Sequence, residues 1–385
     1  MTGLIVHEWI SQHGGSENVL DVMARALPND DIYCLWNEAT DRFPGRNVRE
    51  TWMARSPLRR SKAAALALMP STWRTVDISK YESVLVSSHA FAHHVGSRKL
   101  RATIPIHVYV HTPARYIWAA DLDKRGNHPL VRAVAPLFQH LDKKIASEGP
   151  LFAANSQFVQ RRIENTWAQP SQVIYPPVRI EKLRSVEDWT DRLSDSESAI
   201  LDELPNEFIL GASRFVAYKN LDRVIEVGSA CQVPVVLAGG GPEESYLRAK
   251  ASEAAVPVHF VHSPSDELLY ALYQKAMLFV FPPIEDFGIM PVEAMALGTP
   301  VLVNPIGGAV ESVRLLGGGA TLPPHNNSNE VQAAVQLALS KNMERASREA
   351  SSLSEAAFIS RILSWRTGRC DEMNSFSYGG NNEQS

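Results

Sequence analysis

Short apolar runs and longer amphipathic stretches alternate along this chain. In the C-terminal half, Phe208-Ile209-Leu210, Val235-Val236-Leu237-Ala238, Val258-His259-Phe260-Val261, Met277-Leu278-Phe279-Val280-Phe281 and Val301-Leu302-Val303 all have strand length. Such near-continuous apolar runs fit strands buried on both faces of a parallel sheet. Helical spacings lie between them: Leu221, Val224 and Ile225, then Leu268, Leu269 and Leu272 in a helix starting at Ser265. The N-terminal half keeps the same rhythm. Strands are predicted at Leu4-Ile5-Val6, Val84-Leu85-Val86, Ile106-His107-Val108-Tyr109-Val110 and Leu151-Phe152-Ala153-Ala154. Val19, Leu20, Met23 and Leu27 mark the inner face of a helix that starts near Ser16, and a second helix is expected over 156–165. This alternation predicts the α/β class, with two doubly wound Rossmann-like domains.

The chain has 385 residues, more than one ordinary core organises. The proline pair in Val173-Ile174-Tyr175-Pro176-Pro177-Val178 forces extended chain and marks the passage between domains. The expected domains are 1–176 and 177–354. Residues 371–385, rich in Ser, Asn and Gly, read as a disordered tail.

Ligands of doubly wound sheets sit beyond the carboxyl ends of the strands. Several loops fall there, and the one over 283–300 carries the most chemistry. Glu285 and Glu293 bracket a turn that opens a short helix. Pro291 suits the first helical position and Gly298 the position past the end. Glu293 then falls in the first turn, near unpaired N–H groups and the positive end of the helix dipole. Gly288 permits close approach to the backbone. The loop reads as a cradle for an anionic, hydroxyl-rich ligand.

Charge changes the picture in one respect. Residues 1–175 hold 21 Lys and Arg against 15 Asp and Glu, and the remainder holds 17 against 27. A basic N-terminal half favours anionic partners. The cations concentrate over 42–74, where Arg42, Arg46, Arg49, Arg55, Arg59, Arg60, Lys62 and Arg74 face only Glu50. Leu58, Ala63–Leu68 and Met69 interleave with them. This is either an amphipathic segment for an anionic membrane surface or lipid diphosphate, or a core-packing helix with a solvated basic face. Cys34, Cys231 and Cys370 form no disulfide framework or zinc spacing, as expected in a reducing compartment. With no basic n-region, no apolar h-region and no run long enough to span a bilayer, the expected location is cytoplasmic. Asp121-Leu122-Asp123 has the D-x-D form of a divalent-cation site, but it sits in a polar stretch that follows no strand and reads as a solvated loop.

Four motifs in order, each at a strand-to-loop junction, carry a resemblance. They are Gly14-Gly15-Ser16-Glu17, His111-Thr112-Pro113-Ala114-Arg115-Tyr116, Ser213-Arg214 with Lys219, and Glu285 with Glu293. Gly307-Gly308 with Glu311 follows as an echo. In this combination the chain resembles the retaining glycosyltransferases of family 4, with the GT-B fold of two Rossmann-like domains facing across a cleft. The resemblance implies that a last helix, about 355–370, packs back on the N-terminal domain through Phe358, Ile359 and Ile362.

It also implies roles. Arg214 and Lys219 would stabilise the departing diphosphate, with no metal and no other cofactor. Glu285 would contact sugar hydroxyls, and Glu293 would hold the ribose. Backbone N–H groups at Phe287, Gly288 and Ile289 would face the diphosphate. Gly14 and Gly15 would approach the donor phosphate or the acceptor, and His111 would make a polar contact to the transferred sugar. Arg115, Tyr116, Arg59 and Arg60 are acceptor-side candidates. The His-Thr-Pro-x-Arg-Tyr form with Trp118 resembles bacterial mannosyltransferases that use GDP-mannose to build surface polysaccharides or glycolipids; UDP-glucose and UDP-N-acetylglucosamine stay open. The expected partners are a nucleotide sugar, a glycan or lipid-linked acceptor and an anionic membrane surface. A dinucleotide oxidoreductase is disfavoured, because no Gly-x-Gly-x-x-Gly follows the first strand. A GT-B epimerase or phosphorylase and a non-catalytic nucleotide-sugar module are the nearer rivals. Nucleic-acid binding has no aromatic stacking motif to support it.

Overall fold

The computed structural model describes residues 2–118, 129–325 and 327–368. Asp121, Asp123, Cys370 and the tail over 371–385 lie outside the described residues.

Two parallel sheets organise the chain. The first contains β1 (Leu4–His7), β2 (Asp31–Cys34), β3 (Val48–Glu50), β4 (Val84–Ser88), β5 (Ile106–Val110), β6 (Leu151–Ala154) and β7 (Ser171–Val173). The second contains β8 (Ile209–Arg214), β9 (Val235–Gly240), β10 (Val258–His262), β11 (Leu278–Phe281), β12 (Val301–Val303) and β13 (Gly319–Thr321). The orders are β3-β2-β1-β4-β5-β6-β7 and β10-β9-β8-β11-β12-β13. Both sheets are doubly wound, as the apolar pattern predicts. Strands β1, β4, β5, β11 and β12 are buried at every position, which explains their largely apolar sequences, with His7, Ser87, Ser88 and His107 as buried polar exceptions. The pattern misses β2, β3, β7 and β13. β2 is Asp31-Ile32-Tyr33-Cys34, half-buried at alternate positions, and β13 is Gly319-Ala320-Thr321, with no large apolar side chain. β3 and β7 are three-residue edge strands with polar sequences, Val48-Arg49-Glu50 and Ser171-Gln172-Val173. Edge strands face water and need no apolar run.

Each order has one reversal. In the first sheet it lies between β1 and β4, and in the second between β8 and β11. The loops after those strands diverge and leave a crevice. The loop at 214–219 and the Glu285 turn therefore border the second crevice. The Gly14-Gly15 loop follows β1 and His111 follows β5 on the first sheet.

The chain crosses between lobes twice, and the crossings touch. Val178 N–H donates to the Leu353 carbonyl at 2.9 Å, and Val178 pairs in parallel with Ser354. The helix Glu355–Thr367 then buries Phe358 and Ile362 with Val19, Leu20 and Met23 of the helix Gly15–Ala26. Trp365 meets His107 edge-on at 4.9 Å, and Arg366 pairs with Asp30 at 2.8 Å.

Two local expectations need correction. The helix after the Glu285 turn begins at Ile289, so Pro291 is its third residue rather than its first. Pro291 still costs no hydrogen bond there, because the first four N–H groups have no intrahelical partner. Glu293 consequently lies beyond the first turn. Residues 42–74 do not form one amphipathic helix either. Ser56 and Ser61 cap successive short pieces, Pro57–Arg60 and Lys62–Ala65, ahead of Met69–Arg74. Four of their cations serve the fold. Arg42 pairs with Asp21 and donates to the Ser11 and Gln12 carbonyls, and Arg46 donates to the Ala24, Leu27 and Asp30 carbonyls. Arg74 pairs with Glu148, and Arg49 lies over the Tyr33 ring.

Candidate functional site

At the crevice of the second sheet, Lys219 Nζ lies 2.5 Å from Glu285 Oε1. Lys219 ends a single turn, Ala217–Lys219, after β8, and Glu285 follows β11. Because β8 and β11 are neighbours, residues 66 positions apart in sequence meet. Arg214 is exposed on the same loop and donates to the Tyr218 hydroxyl at 3.1 Å.

The Glu285 turn is held from behind by Gly307 and Gly308. Gly308 N–H donates to the Glu285 carbonyl at 2.7 Å. A Cβ at Gly308 would sit 2.1 Å from the Asp286 carbonyl oxygen, and one at Gly307, whose φ is +114°, 2.7 Å from that of Glu285. Only glycines let the two loops approach this closely. Phe287 is buried with its ring 5.6 Å from Tyr175, while Gly288 (φ +83°) turns the chain into the helix at Ile289.

Across the cleft, Arg115 of the first lobe reaches this turn. Its guanidinium bonds the Asp286 carboxylate and lies 3.7 Å from Glu285 Oε2. Burial alone would weaken its charge, but Asp286 and Glu285 more than reverse that and raise its pKa. Arg162 holds the other Asp286 oxygen at 2.8 Å. Burial lowers the Arg162 pKa, and the Asp286 charge offsets this only in part.

Glu293 is half-buried. Burial, reinforced by Asp266, raises its pKa to about 7 against the pull of Arg179 and Lys182. His111 is held at its ring by Ser87, whose Oγ lies 2.8 Å from His111 Nε2 and 3.0 Å from His7 Nδ1. Burial and the neighbouring His7 lower its pKa to about 3, so the ring is neutral at physiological pH. A neutral ring can make a polar contact to a hydroxyl. Gly14 caps the first helix in extended conformation, and Gly15, its first residue, has no atom within 4 Å of a Cβ position. Glu17, buried beneath, accepts from the Ser11 N–H and the Ser16 hydroxyl.

The acceptor-side candidates separate. Arg59 and Arg60 are exposed, and Arg115 faces the Glu285 turn. Tyr116 is buried, with its ring 6.2 Å from Phe91, and belongs to the core.

Among the described residues, one His and Asp group has metal-ligand proximity: His93, His94 and Asp142, all buried. Its donor set fits a structural hub better. Asp142 Oδ1 lies 2.9 Å from His93 Nε2 and 2.8 Å from His94 Nε2. Asp142 Oδ2 accepts from the indole N–H groups of Trp118 and Trp167, each at 2.7 Å. Indole N–H groups are donors only, so that oxygen is already committed.

Sequence reasoning misses Asp286, Arg162, Ser156 and Asp142. Asp286 adjoins Glu285, but its partner Arg162 is 124 positions away, so no local spacing shows the pair. The Trp118 motif position was a signal for Asp142, since a buried indole N–H needs an acceptor.

Comparison with known proteins agrees with this architecture. Residues 13–182 match the model described as Glycosyltransferase Family 4, and residues 196–357 the model for Glycosyl transferases group 1. The O-antigen chain mannosyltransferase C of Escherichia coli is 26% identical over 198 residues, covering 50% of each chain. The D-rhamnosyltransferase WbpZ of Pseudomonas aeruginosa is 27% identical over 209 residues, covering 51% of this chain and 50% of the relative. The chain thus spans about half the length of these curated relatives. Among solved structures, HepE of Anabaena, in complex with UDP, superposes with a TM-score of 0.66 at 19% identity, covering 96% of this chain and 100% of that one. The sucrose-phosphate synthase of Thermosynechococcus elongatus gives 0.69 at 16% identity, covering 96% and 99%. The chain thus has the GT-B fold, with a stretch that matches Glycosyltransferase Family 4 ahead of one that matches Glycosyl transferases group 1.

Proposed function

We propose that the protein is a retaining hexosyltransferase that moves mannose from GDP-mannose to a glycan or lipid-linked acceptor, in synthesis of surface polysaccharide or glycolipid. The observation that carries this reading is the Lys219–Glu285 pair at the crevice of the second sheet, 2.5 Å apart. One partner is suited to a diphosphate and the other to sugar hydroxyls. A donor entering the crevice draws Lys219 and Arg214 to its phosphates, where charge develops as the sugar departs. That frees Glu285 to accept from the sugar hydroxyls and so to orient the anomeric carbon. Glu293, one turn into the helix, accepts from the ribose when ionised. The backbone N–H groups at Phe287, Gly288 and Ile289 face the diphosphate. Gly14 and Gly15 close over the phosphate from the first lobe.

His111, neutral and tied to Ser87, makes a polar contact to the sugar and does not act as a proton acceptor. The acceptor hydroxyl attacks from the face the diphosphate leaves, and its proton passes to a donor phosphate oxygen. The cations do the work of charge stabilisation, so transfer proceeds in EDTA.

The mannosyltransferase name of the Escherichia coli relative favours mannose as the sugar, and the resemblance carried by the motif with Trp118 favours GDP as its nucleotide. A UDP-sugar donor is the second reading, favoured by the UDP complex of the Anabaena neighbour. Nucleotide release measured with GDP-mannose, UDP-glucose and UDP-N-acetylglucosamine separates them. GDP released and no UDP supports the first, and the reverse replaces it with the second.

The exposed surface of residues 52–68 supports attachment to the inner face of the plasma membrane. Trp52 is 52% and Leu68 41% exposed, and Arg55, Arg59 and Arg60 are exposed beside them. Indole, leucine and basic side chains on one short stretch suit an anionic headgroup layer. Among the described residues, no helix is long and apolar enough to cross a membrane. Co-sedimentation with anionic but not neutral vesicles supports attachment; no binding to either removes it.

A further inference from the structure

We propose that Asp286 is a positioning residue that couples closure of the two lobes to assembly of the donor site, gripped by Arg115 and Arg162. The proposal rests on the reading of Glu285 as a donor contact.

Asp286 belongs to the second lobe, yet its polar contacts come from the first. Arg115 takes one carboxylate oxygen, Arg162 takes the other at 2.8 Å, and Ser156 Oγ donates to its carbonyl at 2.5 Å. Arg115 and Arg162 sit on different elements, Arg115–Trp118 and Gln157–Trp167. Asp286 is buried between them. Separating the lobes removes both arginines from the carboxylate at once, so the contact favours the closed arrangement as a unit.

A second contact aligns the same helix. Glu311, behind Gly307-Gly308, accepts from the backbone N–H groups of Gln157 at 2.7 Å and Phe158 at 2.6 Å. Those donors open the helix that carries Arg162, and a carboxylate there also meets the positive end of the dipole. The two C-lobe loops that grip this helix are the ones locked together by Gly308 and the Glu285 carbonyl. Closure therefore bears on the backbone next to Glu285, and Arg115 approaches the Glu285 carboxylate that Lys219 holds from the other side.

The spacing of the two arginines is fixed within the first lobe. Trp118 ends the element of Arg115, and Trp167 ends the helix of Arg162. Both indoles donate to Asp142 Oδ2 at 2.7 Å. One buried carboxylate thus sets the distance between the two cations that receive Asp286.

The test compares the full chain with Asp286→Ala, Asp286→Glu and Arg162→Gln, by small-angle scattering without ligand and by steady-state nucleotide release. The expected result is a larger radius of gyration for Asp286→Ala and Arg162→Gln than for the parent. kcat should fall about 10-fold to 100-fold, while GDP affinity stays within about threefold, since most of the proposed nucleotide contacts, Gly14 and Gly15 apart, lie on the second lobe. Asp286→Glu should recover part of both losses. If Asp286→Ala does not fold, Arg162→Gln tests the same grip from the other side. A radius and kcat equal to the parent's in the folded variants overturn the proposal. A parent that releases no nucleotide from any sugar donor defeats the functional reading instead, and the scattering comparison still decides the coupling.

Discussion

Lys219 Nζ and Glu285 Oε1 lie 2.5 Å apart, joined across the boundary between β8 and β11, where the strand order of the second sheet reverses. In this structure each charge satisfies the other. In the proposed reaction a donor separates them and uses both. Lys219→Gln should therefore lower kcat/KM by about 10²-fold to 10³-fold, the usual effect of losing one group that stabilises developing charge. Its melting temperature should stay near the parent's. Kinetics beside a thermal melt check this; a large drop in melting temperature with unchanged kcat/KM would make the pair structural.

Glu293 gives the site a pH dependence. Its pKa is raised to about 7 by burial, with Asp266 adding to the effect. If the ribose is held by the carboxylate form, nucleotide affinity should fall about tenfold between pH 8 and pH 6 as Glu293 takes a proton. Glu293→Gln should flatten that dependence, by calorimetry or fluorescence. The stability effect has the opposite sense. The folded pKa lies above the unfolded one, so the stabilisation belongs to the protonated form. It is complete below about pH 4.5 and is lost as pH rises through about 7. Glu293→Gln should thus melt higher than the parent at pH 8 and near it at pH 4.5.

Asp142 gathers four side chains of the first lobe around one carboxylate. Its carboxylate is buried among His93, His94, Trp118 and Trp167. Burial opposes its charge, but the two histidines reverse that and hold its pKa well below the usual carboxylate range. With a depressed folded pKa, its stabilisation is present above the unfolded value and is lost only as pH falls through the folded one. Asp142→Ala leaves the buried Trp167 indole N–H and the half-buried Trp118 indole N–H without their acceptor and should cost about 3–5 kcal/mol. A denaturant melt that is unchanged would show that the hub contributes little.

The glycines separate packing from ligand contact. Gly308→Ala places a methyl 2.1 Å from the Asp286 carbonyl oxygen, so the Glu285 turn must move. Both stability and transfer should fall. Gly15→Ala meets no atom within 4 Å, so the fold should be unaffected. Its KM for the donor should still rise if the loop approaches the phosphate. Melting and kinetics on the two variants read the difference.

The buried strands are legible in the sequence because a strand covered on both faces is largely apolar. Met277-Leu278-Phe279-Val280-Phe281 announces β11 for this reason. β3 and β7 are hidden because a three-residue edge with a solvated side needs no apolar signature. The site divides the same way. Arg214, Lys219 and Glu285 stand out as charges at strand-to-loop junctions, and Glu293 as a carboxylate in the helix that follows. That Lys219 meets Glu285 follows from the order β8-β11, which no local pattern contains. Asp286 carries no signal of its own, since its partners come from another lobe. The basic stretch over 42–74 misleads most: half of its cations are spent on carboxylates, carbonyls and a tyrosine ring within the first lobe. A count of charges cannot separate those from Arg55, Arg59 and Arg60, which face water.

The most direct test is nucleotide release from GDP-mannose, UDP-glucose and UDP-N-acetylglucosamine by the purified protein, in EDTA, beside Glu285→Ala. GDP release from GDP-mannose, lost in a Glu285→Ala variant that melts like the parent, is the predicted result. No release from any donor, or a Glu285→Ala variant that keeps most of the activity, would contradict it.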